Sequence, residues 1–166
     1  KGNTLLMLTV NIICIGKLKE KYWVDAIKEY SKRLGAFCKF SIMELSECKT
    51  NQDPNEKQIT HILEEEGKSI LAKIKPTDYT VAMCIEGKII SSEDLSKLID
   101  NVQIDGKSKM NFVIGGSWGL SDEVKKVANY KMSMGKMTFP HQMARVMLTE
   151  QIYRGFQISS NGKYHK

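Results

Sequence analysis

Proline, cysteine and long apolar runs are all scarce in this chain, and each absence removes a class of protein. Three Pro and 12 Gly in 166 residues, beside 42% hydrophobic and 27% charged residues, exclude collagen-like, low-complexity and disordered classes. The longest apolar stretch, Leu5 to Ile15, is broken by Thr9 and Asn11 and falls short of the roughly 18 residues that a membrane-spanning helix needs. No small-residue cleavage site of a secretory signal follows it, so the expectation is a cytoplasmic protein with no membrane partner. Cys14, Cys38, Cys48 and Cys84 stand far apart with no CxxC pair, and His61, His141 and His165 do not cluster. The expected state is four reduced thiols used mainly for packing, and no metal site.

Motifs of several enzyme classes are missing as well. There is no GxGxxG, no Gly-Lys pair with a Gly five residues upstream, and no GxSxG, since Ser117 lies in Gly-Gly-Ser-Trp-Gly. Dinucleotide dehydrogenases, P-loop enzymes and hydrolases with a nucleophile elbow lose ground accordingly. The run Glu64-Glu65-Glu66 reads as a solvated helix face.

What the chain does have is an uneven charge. Residues 107–166 carry ten Lys/Arg against three acidic residues, net +7, whereas the first 106 carry 15 against 16, net −1. A concentrated positive third suits a polyanion, because Lys and Arg displace condensed counterions from phosphates; a merely soluble basic surface is the alternative.

At 18.9 kDa the chain has room for one compact domain, 1–166, with residues 1–6 set apart as a non-native extension because Met7 is a natural start for the first strand. Apolar, β-branched Leu8 to Ile15 reads as a strand ending at Gly16. Helical spacing over Lys19–Leu34 stops at Gly35, expected as a C-terminal cap. A second strand over Cys38–Leu45, a loop to Glu56 and a long helix ending before Pro76 follow. Tyr79–Ile85 reads as a strand turning at Gly87. Next comes a helix with a capping box of Ser91 and Asp94, then a strand over Met110–Ile114 running into Gly115 and Gly116. Ser121 caps a further helix, Tyr130–Met134 is the last strand, and Pro140 opens a helix to about Phe156. This alternation predicts an α/β fold, a mainly parallel sheet with helices on both faces.

Ligands of open α/β sheets sit beyond the carboxyl ends of strands. Three loops qualify: Glu86–Lys88, Gly115–Leu120 and Gly135–Phe139. The second either admits a ligand against its backbone or is a tight strand-to-helix turn. The last helix carries Met143, Val146, Met147, Ile152, Tyr153 and Phe156 over much of its circumference, which implies either core packing or a second burial at a subunit interface. Arg154 on that helix is a rigid donor suited to phosphate or a base edge. Tyr164 and His165 belong to a mobile tail or, if docked, supply an acid–base group near neutral pH.

Four blocks, "IGKLKEKYW", "FVIGGSWGL", "KMTFPHQMARVMLTEQIYRGFQI" and the terminal "YHK", resemble the RlmH-type SPOUT methyltransferases of bacteria, over essentially all of residues 8–166. The resemblance implies a C-terminal trefoil knot, S-adenosylmethionine as cofactor, a homodimer, and methylation of N3 of a pseudouridine in 23S ribosomal RNA on free RNA or the 70S ribosome. It assigns cofactor contacts to Met83, Gly115, Met134, Gly135, Lys136, Met137, Thr138 and Phe139. Catalytic positions are assigned to His165 as base, Tyr164 as the residue that orients it or the target, and Arg154 as a phosphate holder. Two positions depart from the family. Trp118 replaces a small or polar residue and either narrows the cofactor entrance or stacks on a base. Met83 stands for Leu, a nearly volume-conserving change. An RNA-binding factor without catalysis, its cofactor site blocked by Trp118, is the competing reading.

Overall fold

The computed structural model describes residues 6–166, so the proposed extension falls almost entirely outside the described residues. Ten elements alternate: β1 (Thr9–Ile15), α1 (Lys21–Leu34), β2 (Lys39–Leu45), α2 (Glu56–Leu71), β3 (Tyr79–Ile89), α3 (Ser92–Ile104), β4 (Lys109–Ile114), α4 (Asp122–Val127), β5 (Tyr130–Ser133) and α5 (His141–Ser159). The strands form one sheet in the order β2-β1-β4-β3-β5, every pair parallel.

The two-residue period of the central strands divides the core. Val10, Ile12, Cys14, Val81, Met110 and Phe112 point to one face, where they meet Leu34 of α1, Leu95, Ile99 and Val102 of α3, and Leu148, Ile152 and Phe156 of α5. Ile13, Ile15, Ala82 and Val113 point to the other, against Ile70 of α2 and Val124 of α4. Helices on both faces leave the inner strands dry, which is why their sequences are continuously apolar. Asn11 and Asn111 interrupt that run and satisfy each other: Asn11 donates to Asn111 at 3.1 Å, and Asn111 donates to Asp78 at 3.0 Å. Burial also raises the thiols of Cys14 to about 11 and Cys38 to about 12, which keeps them as inert packing groups.

The caps form as expected at Ser91 with Asp94 and at Ser121, and Asn55 with Gln58 adds a second capping box. Gly35 is the C-cap of α1 as expected, with right-handed angles (φ −57°, ψ −22°). Three local expectations are corrected. Pro140 is the N-cap of α5 rather than its first residue, and the helix runs on to Ser159. Glu66 does not join a solvated face but is buried. Of the two readings left open for the apolar surface of α5, core packing accounts for Ile152, Tyr153 and Phe156, buried within the chain, whereas Met143, Val146 and Met147 are only half-buried.

The third correction concerns Gly87. The strand does not turn there but continues to Ile89, and both Met83 and Lys88 pair with Met132 of β5, so residues 84–87 loop out of register. Gly87 re-enters so close to β5 that an added Cβ would lie 2.5–2.8 Å from the backbone of Met132. A backbone obstacle cannot swing aside as a side chain can. Gly87→Ala is therefore expected to destabilise the protein by about 1–3 kcal/mol, read as a lower urea midpoint against wild type.

Candidate active site

The carboxyl ends of β3, β4 and β5 enclose a cavity of about 490 Å³. Its size is that of a small-molecule site. Three segments wall it: the looped-out stretch of β3 with Met83, Cys84, Ile85 and Glu86, the glycine loop from Ile114 to Leu120, and residues 132–139 leading into α5. All eight positions that the family resemblance assigned to the cofactor, Met83, Gly115, Met134, Gly135, Lys136, Met137, Thr138 and Phe139, lie in these walls.

The glycine loop is a tight hairpin. Gly119 donates to the carbonyl of Gly116 at 3.1 Å, the two glycines form an isolated antiparallel bridge, and Gly119 has φ +86°. A Cβ on Gly115 would overlap the carbonyl of Gly119, so the loop closes only over glycine. Trp118 projects from the tip of this turn, 44% exposed, with exposed Ile85 and Met137 also on the rim. Trp118 is thus one of the cavity's lining residues. Opposite, Lys125 of α4 and Glu86 form an ion pair at 2.6 Å, which lowers the Glu86 carboxyl and raises the Lys125 ammonium. Ser133 closes the other side by exchanging hydrogen bonds with Gly135.

Arg154, Tyr164 and His165 are also brought together, in a different place. The tail docks on α3 and α5 of its own chain, and none of the three lines the cavity. Glu150 accepts from Arg154 through Nε at 3.0 Å and through Nη2, and from the Tyr164 hydroxyl at 3.0 Å. The Arg154 guanidinium stands 4.8 Å over the Tyr164 ring, which meets Tyr153 edge-on. His165 bridges the cluster: its Nδ1 faces Nη1 of Arg154 at 3.1 Å and its Nε2 faces Oε1 of Glu93 at 2.7 Å. Burial, followed by hydrogen bonds to Tyr30 and Glu150, pushes the Tyr164 phenol well above the ordinary tyrosine value and keeps it a neutral donor. Since His141 and Ala144 line the cavity and Arg154 lies 10 to 13 residues further along α5, the two groups stand about 15–20 Å apart along the helix.

Comparison with known proteins decides the family. The family model described as "Predicted SPOUT methyltransferase" matches residues 8–165. The chain belongs to the SPOUT methyltransferase family. It is 52% identical over 159 residues to the ribosomal RNA large subunit methyltransferase H 1 of Clostridium perfringens, covering 96% of this chain and 100% of that protein. The large subunit methyltransferase H of Clostridium acetobutylicum is 50% identical over the same extent. A solved structure of a probable methylase family protein from Haemophilus influenzae, 12% identical, superposes with a TM-score of 0.52 over 95% of this chain and 70% of that one, a likeness of fold.

Two features of this SPOUT chain escaped sequence reasoning. Arg145 of α5 is buried, pairs with Glu44 at 2.8 Å and donates to the carbonyl of Gly16 at 3.2 Å, pinning the first turns of α5 to the ends of β1 and β2. Nothing local distinguished it from a surface arginine, because both partners lie about 100 or more residues away. Glu66 of α2 reaches under the glycine loop, accepts from the backbone N–H of Cys48 at 3.1 Å, and sits where a Cβ on Gly116 would touch it. Among the described residues no group of three or more potential ligands could hold a metal, and no helix is long and apolar enough to cross a membrane.

Burial raises the Glu66 carboxyl above its ordinary 4.5, against a lowering contribution from the Cys48 N–H. The folded state therefore binds this proton more tightly than the unfolded chain, and stability falls as pH rises from about 4.5 through the raised native value. Glu66→Gln keeps an oxygen for Cys48 and removes the charge. It is expected to be more stable than wild type at pH 7, with the difference closing below pH 4.5 in paired urea titrations.

Proposed function

We propose that this protein is an S-adenosylmethionine-dependent methyltransferase that modifies N3 of a pseudouridine in 23S ribosomal RNA, acting as a homodimer on the assembled 70S ribosome. The observation that carries the reading is the cavity at the strand ends, whose walls contain every position assigned to the cofactor by family likeness. The relatives named as ribosomal RNA large subunit methyltransferases support the substrate class.

The cavity suits that cofactor on its own chemistry. Met83, Ile114 and Phe139 offer apolar surface for a purine, while the glycine loop and residues 134–138 present backbone groups to polar ends. S-adenosylmethionine, when bound, supplies an activated methyl group on a sulfonium. The chain must then exclude water, align the target base and remove the N3 proton. His165 is the proton acceptor in this reading, Tyr164 positions the ring or the base, and Arg154 holds a phosphate of the RNA. A C-terminal trefoil knot belongs to the same reading by family likeness.

Homodimerisation, implied by family likeness, is supported by distance. The tail cluster stands some 15–20 Å from the cavity of its own chain along one helix, and a second copy could present its tail there. Half-buried Met143, Val146 and Met147 of α5 offer an apolar face for such a contact. The basic C-terminal third, net +7, would then surround a composite site facing RNA.

Calorimetric titration of S-adenosylmethionine is expected to show saturable binding to a protein of dimer mass. His165→Ala should keep that binding while lowering methyl transfer to 70S ribosomes on the order of a hundredfold. Salt-sensitive RNA binding with no cofactor affinity would instead identify a non-catalytic RNA-binding factor.

A further inference from the structure

The two nitrogens of His165 face partners of opposite character, and that asymmetry determines where its proton sits. Arginine can only donate, so Nδ1, 3.1 Å from Arg154, must be the acceptor with a free lone pair. An ionised carboxylate can only accept, so Nε2, 2.7 Å from Glu93, must carry the hydrogen. Hydrogen bonding to its own helix-end backbone, then to His165, holds the Glu93 carboxyl below its ordinary range, which keeps it ionised at neutral pH. Glu93 is placed for this by local sequence: it lies in the first turn of α3, two residues after the Ser91 cap, where the helix dipole favours an acid.

We infer that Glu93 is a positioning residue for methyl transfer: it fixes His165 as the Nε2–H tautomer, so that Nδ1 is the atom that takes the proton from N3 of the target base. This rests on the reading of His165 as the proton acceptor. When the N3–H bond breaks, its proton goes to Nδ1 and its electron pair stays on N3 as the nucleophile. The imidazolium formed has the Glu93 carboxylate against its other nitrogen. Arg154 covers Nδ1 in the free protein, and an RNA phosphate that draws the guanidinium away uncovers it. The charged and titratable groups of this cluster are Glu93 from α3, Arg154 and Glu150 from α5, Tyr30 from α1, and Tyr164 beside His165 in the tail. Of these, Glu93 alone bonds Nε2. No local motif identifies it, because its partner is 72 residues away.

The test is nitrogen NMR of the imidazole rings in the full-length, uniformly labelled protein without RNA or cofactor, His165 being assigned by loss of its signals in His165→Asn. Wild type is expected to show a protonated Nε2 and an unprotonated Nδ1. Glu93→Ala should collapse this to a tautomeric average, and Glu93→Gln, whose amide oxygen still accepts, should restore it. On ribosomes Glu93→Ala should lower kcat on the order of tenfold or more, with KM for ribosomes and Kd for S-adenosylmethionine unchanged. A wild-type ring protonated at Nδ1, or ring signals unaltered in Glu93→Ala, overturns the inference, as does a shifted tautomer with unchanged kcat. If wild type itself transfers no methyl group while the tautomer signature stands, the methyltransferase reading fails and the hold of Glu93 on the ring does not.

Discussion

A 19-residue helix cannot fold back on itself, and the rest of the functional architecture depends on that rigidity. The amino end of α5 forms part of the cavity wall, and its carboxyl half carries Arg154 and the platform on which Tyr164 and His165 dock. At about 1.5 Å per residue the two ends are held apart by the hydrogen-bond ladder of the helix itself. Arg145, whose buried guanidinium ties α5 to Glu44 and to the end of β1, stops the rod from tilting as a whole. A chain built this way holds a cofactor-sized cavity and a polar, titratable tail, and in the proposed homodimer a second copy brings them face to face.

The cavity follows from backbone packing more than from side chains. Parallel strands end together, so their following loops gather at one edge. There Gly87 lets β3 rejoin β5 at contact distance, and Gly115 lets the loop fold onto Gly119. Each lacks a Cβ where a Cβ would meet main chain, so the space behind is bounded by main chain that rotamer changes cannot move. Trp118 is the exception, a large, exposed side chain among the cavity's lining residues.

Much of this was legible beforehand, and what was not shares one cause. Elements set by local patterns were readable: the apolar strands, the Ser91–Asp94 capping box, and the Ser121 cap followed by Asp122 and Glu123. The three strand-end loops named from the sequence do border the cavity. Long-range partners were not readable. Glu66 looked solvated because its neighbours in sequence are acidic, yet Cys48 and Gly116 bury it. Gly87 looked like a turn because its contact with Met132 is 45 residues away. Arg145 carried no local signal, and the place of Glu93 in the first turn of α3 did not reveal its partner His165, 72 residues away. The tail residues came from family likeness, and their distance from the cavity in the same chain came only with the structure.

The most direct test of the two-copy account mixes two defective chains. One carries His165→Ala with an intact cavity; the other carries Gly115→Val, which obstructs the glycine loop, with an intact tail. Each alone is expected to be severely impaired on 70S ribosomes. If the tail of one chain serves the cavity of its partner, co-expressed mixed dimers contain one complete site and regain methyl transfer. If the tail serves its own chain, every site in every dimer lacks one component, and a mixture as inactive as its parents would contradict the account.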